Sequence, residues 1–348
     1  MNQTQLFQEV YKIVQQIPLG SILTYGQIAQ MMGMPRHARV VAKALSQAPA
    51  EMKLPCHRVV NQKGELAPDH VFGHQEIQKA MLEAEGILFK ENGLIQMKHH
   101  TNKIQACNLC PRRCQAHRDL GEKGTCHEAA ALHVARAALH PWEEPCISGE
   151  NGSGTIFFSG CNLGCVYCQN KEISRGNKGQ YISVQRLADI MIELQEKGAH
   201  NINLVTPTHF ILPIIEAIKL ARLKGLSIPM VYNTGGYERV ESLRLLEGYI
   251  DVYLPDFKYL DPKIAKKYSF TEDYPEVAKA ALKEMVRQQP LCQFEDENLK
   301  EESMLIKGVL LRHLVLPGYV EHSKAVIAYL FKQYQHAVYL SIMNQYTP

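Results

Sequence analysis

The chain has 348 residues, 46% hydrophobic and 21% charged, which excludes a disordered tail or a fibre and suits two modest globular domains. Its formal net charge of +3 is too mild to name a partner. No apolar run approaches a membrane span and residues 1–16 lack a signal-peptide core, so the expected setting is the cytoplasm, with no membrane partner.

In chain order, residues 5–16 carry apolar side chains at helical spacing: Leu6, Val10, Ile13 and Val14. Thr24 is placed to cap a helix over residues 25–32, which Gly33 ends, and a second helix runs over residues 35–48. Two short helices on a glycine-containing turn predict a helix-turn-helix. Residues 36–63 hold six Lys/Arg against one acid, Glu51. That suits a phosphate-lined groove, although a solvated helix face gives the same pattern. Next comes Leu54-Pro55-Cys56-His57-Arg58-Val59-Val60. A cysteine beside a histidine becomes a thiolate when the imidazole, or a water bridging to it, takes the proton. A carboxylate holding the histidine completes a relay, and Glu85 is the candidate.

These residues do not stand alone. Ile17-Pro18-Leu19-Gly20, Thr24-Tyr25-Gly26-Gln27-Ile28-Ala29 and Ala38-Arg39-Val40-Val41 precede them. Together, from residue 5 to about residue 97, they resemble the DNA-binding domain of O6-alkylguanine-DNA alkyltransferases and the alkyltransferase-like proteins. The resemblance implies a mostly helical, winged-helix-like domain that binds alkylated double-stranded DNA by base flipping. Tyr25 would crowd the phosphate of the damaged nucleotide and Arg39 would fill the gap in the stack. Cys56 would accept the alkyl group, His57 and Glu85 would relay the proton, and Arg58 would brace the site. Two features depart from the alkyltransferases. Ala48-Pro49 stands where they carry Asn-Pro, and Leu66-Ala67-Pro68-Asp69-His70-Val71-Phe72-Gly73-His74 replaces their Gly/Tyr/Ser-rich pocket loop. Both are closer to the alkyltransferase-like proteins, which bind such DNA without repairing it. Alkyl transfer and recognition without transfer therefore both stay open.

Eight of the ten cysteines fall between Cys107 and Cys168, which in a long chain without an export signal favours metal binding over disulfides. Cys107, Cys110, Cys114 and Cys126 form C-x2-C-x3-C-x11-C, a set that suits zinc or a second [4Fe–4S] cluster, with a metal-free cysteine-rich loop as the alternative. Cys146 is an extra ligand or a buried thiol, and Cys292 a bystander. Cys161, Cys165 and Cys168 form C-x3-C-x2-C. Three thiolates this close grip three corners of an iron–sulfur cube and leave the fourth iron open, whereas zinc prefers four ligands in paired C-x2-C units.

Strand-like and helix-like segments then alternate. Strands are expected at residues 201–206, 229–233, 251–254, 310–316 and 337–343. Helices are expected at residues 211–224, 240–247, 274–289 and 321–334. This repetition predicts an α/β fold with a parallel sheet and chemistry at its C-terminal strand ends. Those ends carry Thr206-Pro207-Thr208-His209, Asn233-Thr234-Gly235-Gly236-Tyr237-Glu238, Pro255-Asp256-Phe257-Lys258 and Arg312-His313.

The Cys161–Cys168 spacing, with Tyr167 before the third cysteine, resembles the radical S-adenosylmethionine (SAM) superfamily. Further motifs support this: Cys107-Asn108-Leu109-Cys110-Pro111-Arg112, Glu143-Glu144-Pro145-Cys146-Ile147-Ser148-Gly149, Tyr253-Leu254-Pro255-Asp256-Phe257-Lys258-Tyr259 and Arg312-His313-Leu314-Val315-Leu316-Pro317-Gly318. With them, residues 104–348 resemble radical SAM proteins related to pyruvate formate-lyase activating enzyme. The resemblance implies a partial (β/α)6 barrel in which a [4Fe–4S] cluster cleaves SAM to a 5′-deoxyadenosyl radical. Tyr167, Asn233, Gly235, Lys258, Arg312 and His313 would bind SAM. It also implies an electron donor such as flavodoxin or ferredoxin, a protein or nucleic-acid target for the radical, and further chain beyond Pro348. The expected division is residues 1–98, a linker at 99–106, a cysteine-rich segment at 107–150 and the radical SAM core at 151–348. A chance fusion of unrelated neighbours is the dull alternative.

Overall fold

The computed structural model describes residues 3–346 apart from 16, 18, 33, 35, 69–74, 98–106, 119–120, 177 and 296–302. Gly33, Pro35, the expected linker and most of the loop after Leu66 therefore lie outside the described residues. The chain divides into two compact units, residues 1–105 with 119–121, and residues 106–118 with 122–348.

The first unit is mostly helical. Helix α1 (Gln3–Gln15) buries Val10, Ile13 and Val14, three of the four apolar positions expected, along with Tyr11. Strand β1 (Leu23–Thr24) runs into helix α2 (Tyr25–Met31). The start of α2 is held reciprocally: Gln27 N–H donates to Thr24 Oγ1 (3.1 Å) and Thr24 N–H to Gln27 Oε1 (2.7 Å). This is a capping box, which satisfies two amides that the helix itself leaves without partners. Helix α3 (Ala38–Ser46) begins three residues later than expected and ends two earlier. A tight turn at Cys56–Arg58 feeds strand β2 (Val59–Val60), which pairs in parallel with β1. Helix α4 (Gln75–Ala84) follows.

The second unit is an open parallel sheet with helices between its strands. Its parallel strands are β4 (Ser153–Phe158), β6 (Ile202–Val205), β7 (Met230–Thr234), β8 (Val252–Pro255), β10 (Leu305–Leu314) and β11 (Tyr339–Met343), paired in that order. Beyond β4 the edge is extended antiparallel by β3 (His133–His140) and then β5 (Gln180–Tyr181). A short strand, β9 (Gln293–Phe294), pairs antiparallel with β10. Helices α5 (Val184–Glu196), α6 (Ile211–Leu223), α7 (Val240–Leu245), α8 (Pro262–Ser269), α9 (Tyr274–Gln288) and α10 (Val320–Tyr334) connect the parallel strands. The six parallel strands and their helices are the partial (β/α)6 architecture expected. Two of its strands, β6 and β8, are only four residues long, yet Ile202, Leu204, Tyr232 and Tyr253 on β6, β7 and β8 are fully buried. Burial on a shared sheet face, rather than strand length, holds this layer. Among the described residues no helix is long and apolar enough to cross a membrane.

The capping box gives a direct expectation. Thr24→Ala should cost about 1 kcal/mol. This reads as roughly fivefold faster hydrogen exchange over Tyr25–Met31, with exchange over the second unit unchanged.

Candidate functional site

In the first unit the chemistry gathers on the Cys56–Arg58 turn. His57 is buried, and its Nε2 lies 2.8 Å from Glu85 Oε1. Arg58 clamps the same carboxylate, with Nε donating to Oε2 and Nη2 to Oε1, both at 2.8 Å. Its Nη1 donates to the Ile17 carbonyl at 2.5 Å. The Gly20 amide donates to Glu85 Oε2 at 3.4 Å. Burial pushes the Glu85 carboxyl up, but these donors and the Arg58 charge outweigh it and hold the group down at about 2, against an ordinary 4.5. Beneath the turn, the fully buried Gln78 of α4 donates from Nε2 to the His57 carbonyl (3.0 Å) and accepts the Ala67 amide (2.7 Å). Burial pushes the Cys56 thiol up, and no hydrogen bond joins Cys56 to His57. Tyr25 and Tyr11 both lie close enough to Cys56 to feel its charge. Arg39 is exposed on α3.

In the second unit Cys161, Cys165 and Cys168 follow β4. Burial pushes the Cys161 thiol up to about 12 and raises that of Cys165, and each is raised further by a neighbouring cysteine of the set. Desolvated thiols this close become thiolates when a soft metal replaces their protons, so the donor set fits a cluster. Among the described residues no three Cys, His, Asp or Glu side chains close on the position of a single ion. A cube does not require that, because each thiolate takes its own iron. The sulfurs already have polar neighbours. The Leu163 amide donates to Cys161 Sγ (3.4 Å), and Ser269 Oγ lies 2.9 Å from Cys165 Sγ.

The expected SAM residues do not share one environment. Tyr167 is buried, with its hydroxyl 2.5 Å from that of Tyr259, which in turn lies 2.7 Å from Ser269 Oγ. His313 is buried with both ring nitrogens engaged, Nδ1 on the Phe257 carbonyl (2.7 Å) and Nε2 on Ser323 Oγ (3.0 Å). Gly235 packs so closely on the cysteine loop that a Cβ there would lie 2.7 Å from Leu163 Cδ1. Asn233 and Arg312 belong to a polar mesh at the strand ends. Arg312 donates to Asn233 Oδ1 (2.7 Å), Glu143 Oε1 (2.9 Å) and Asp256 Oδ1 (3.1 Å). Asn203 and Asn233 each donate to Glu143 Oε2 at 3.1 Å. Lys258 Nζ donates to Asp256 Oδ2 at 2.6 Å. Burial pulls the Lys258 ammonium down, but Asp256, Tyr167 and Cys165 hold it well above its ordinary value.

The sequence reading missed several members of these sites. Glu143 and Asn203 anchor the mesh. Arg112 ties the cysteine-rich segment to the cluster loop, donating to the carbonyls of Asn162 (2.8 Å) and Leu163 (3.0 Å). Arg118, beside Cys107, donates to the carbonyls of Glu128, Ala129 and His209. Glu143 and Arg112 lay inside motifs already singled out for their resemblance, which was the available signal. Cys146 and Cys292 pack in a small apolar cluster with Ile147, Val231 and Leu305, which makes Cys146 a packed thiol.

Glu85 sets an acid limit for the first unit. A carboxyl depressed in the folded state adds stability above its ordinary 4.5, and that stability is lost as pH falls through 4.5 toward about 2. Hydrogen exchange at Cys56–Arg58 should accelerate across that window in the wild type. In Glu85→Gln it should be faster at neutral pH and flat across the window.

Residues 5–87 match the family model described as 6-O-methylguanine DNA methyltransferase, DNA binding domain. Residues 155–294 match that of the Radical SAM superfamily. A DNA base-flipping protein of Vibrio parahaemolyticus is 40% identical over 97 residues, covering 28% of this chain and 94% of that protein. Alkyltransferase-like protein 1 of Schizosaccharomyces pombe is 35% identical over 98 residues, covering 28% and 91%. An uncharacterized protein of Methanocaldococcus jannaschii is 29% identical over 259 residues, covering 71% of this chain and 68% of that protein.

Proposed function

We infer, for a chain that belongs to the alkyltransferase-like family through its first unit and carries a radical SAM domain in its second, that it has two chemical tasks. The first is recognition of O6-alkylated guanine in double-stranded DNA, with alkyl transfer to Cys56. The second is reductive cleavage of SAM at Cys161, Cys165 and Cys168.

For the first task the supporting observation is the turn that sets Cys56 beside the His57–Glu85–Arg58 array, with Tyr25 close enough to feel the charge of the thiolate. A relative named for base flipping supports extrusion of the damaged nucleotide. Tyr25 favours the rotation and Arg39, exposed on α3, fills the vacated stack. Transfer breaks the bond between O6 and the alkyl carbon and forms a bond from that carbon to Cys56 Sγ. The thiol proton leaves toward His57 through a water, and guanine departs neutral on regaining a proton. Recognition without transfer is the second reading, and the upward shift of the Cys56 thiol favours it. Intact mass separates the two. Incubation of the full chain with duplex DNA containing O6-methylguanine should add about 14 Da, and Cys56→Ser should abolish the gain. Retained binding without a mass gain leaves recognition alone.

For the second task the supporting observation is the thiol triplet that follows β4, with Cys161 and Cys165 shifted up by burial. A [4Fe–4S] cluster bound there supplies an open iron that chelates the amino and carboxylate groups of SAM, and the electron that cleaves it. Lys258, close to Cys165, is suited to the SAM carboxylate, and Asn233 and Arg312 to its polar groups. Gly235 keeps the backbone close to the cysteine loop. Tyr167 and His313 orient the walls through Tyr259 and Ser323. A flavodoxin or ferredoxin supplies the electron, and the radical abstracts hydrogen from a macromolecular partner, as an activase does. The anaerobically reconstituted chain, reduced with dithionite, should form 5′-deoxyadenosine and methionine from SAM. Cys165→Ala should lower that to background, and undiminished cleavage in the variant would sink this reading.

A further inference from the structure

The other cysteine set lies against the first. Cys107, Cys110, Cys114 and Cys126 come from two turns that the backbone folds together. The Cys107 amide donates to the Ala116 carbonyl (3.0 Å) and the Gln115 amide to the Cys107 carbonyl (3.1 Å). A Cβ on Gly124 would lie 3.0 Å from Cys114 Sγ and 3.4 Å from Cys126 Sγ, so both sulfurs border one small space. Cys107 is within hydrogen-bond reach of Cys114 and close to Cys110 and Cys126.

A second, independent observation concerns charge. Arg118 is 6% exposed. Its guanidinium donates to the carbonyls of His209 (2.6 Å), Ala129 (2.6 Å) and Glu128 (3.0 Å). Among the described residues it also lies 5.6 Å from the Phe210 ring centroid, and its Nη1 is 4.0 Å from Cys107 Sγ. Among the described residues none of its hydrogen-bond partners is a carboxylate. Metal-bound thiolates would place negative charge beside this guanidinium.

A third observation links the two sets. The Cys161 amide donates to the Cys126 carbonyl at 3.2 Å. Gly160, at φ +85°, makes the approach possible, since a Cβ there would lie 2.5 Å from that same oxygen. One hydrogen bond therefore connects a cysteine of one set to a cysteine of the other.

We propose that Cys107, Cys110, Cys114 and Cys126 hold a second [4Fe–4S] cluster, and that the Cys126–Cys161 hydrogen bond is the route by which one electron passes from it to the first. Three cysteines in one run with a distant fourth is a ferredoxin-type spacing, whereas zinc sites favour two pairs. The electron comes from a low-potential one-electron donor protein, which is oxidised by one unit as the cluster at Cys161, Cys165 and Cys168 is reduced by one. The second cluster returns to its starting state. The relay rests on the reading that those three cysteines hold a cluster. The second site does not.

The test uses the full chain, reconstituted anaerobically with iron and sulfide. The wild type should carry about eight iron and eight acid-labile sulfide, and the Cys161→Ala/Cys165→Ala/Cys168→Ala variant about four of each. In that triple variant, about one zinc without sulfide, or no metal, overturns the second site. A different pattern sinks the first-site reading instead: about four iron retained in the triple variant and none in Cys107→Ala/Cys110→Ala. The relay has its own readout. With photoreduced flavodoxin, reduction of the first cluster should slow at least about tenfold in Cys107→Ala/Cys110→Ala, and an unchanged rate overturns the relay. If that double variant does not fold, the dithionite-reduced wild type decides. Its electron paramagnetic resonance spectrum should be broadened by spin–spin interaction beyond the signal of the triple variant, and an unbroadened spectrum overturns the relay.

Discussion

One largely buried guanidinium, that of Arg312, organises the mouth of the parallel sheet. The Arg312 side chain is 15% exposed, and it needs its charge offset and its donors accepted. The solution draws Glu143 from the segment between β3 and β4, Asn233 from β7 and Asp256 from the end of β8 onto one guanidinium. Removing one partner of such a buried pair typically costs about 3–5 kcal/mol, because the other charge is left uncompensated. The positions of the strand ends, and of the cysteine loop packed on Gly235, therefore follow from one electrostatic requirement as much as from apolar packing.

The first unit meets a similar requirement with the sign reversed. There a carboxylate, Glu85, is the hub, and His57, Arg58 and the Gly20 amide converge on it. The arrangement fixes the imidazole through Nε2, which leaves Nδ1 as the nitrogen not committed to the hub. Which nitrogen faces the carboxylate decides which one is left for proton traffic, and spacing along the chain carries no information about that.

Much of the architecture could be read from local pattern. The apolar rows of α1 and α6 have helical period, and the strands from β6 to β11 are short apolar runs closed by turn residues. The misses have physical causes. Residues His133–His140 are rich in alanine and mixed in burial, so their strand state is imposed by the ladder to β4 rather than by propensity. β4 carries Gly154, a poor strand former tolerated because a Cβ there would meet the Asn201 carbonyl at 2.7 Å. Helix α5 was detectable from its period and its Ser183 cap. In the sites, the cysteines and the Cys56-His57 pair were visible because their chemistry is local. Asn203 and Gln78 were not, because each acquires its meaning only from a partner that folding brings to it.

β10 is the second-to-last strand in the chain, yet it sits inside the sheet, between β8 and β11. Arg312 rides on it, 169 positions after Glu143. At the ribosome's pace of about 5–20 residues per second, the carboxylate is made roughly 10–30 seconds before its guanidinium. Once all three are made, Glu143, Asp256 and Lys258 sum to one negative charge, and Arg312 brings the sum to zero. The acidic groups of the mouth are thus synthesised before the cation that balances them, and the site becomes neutral in one late step.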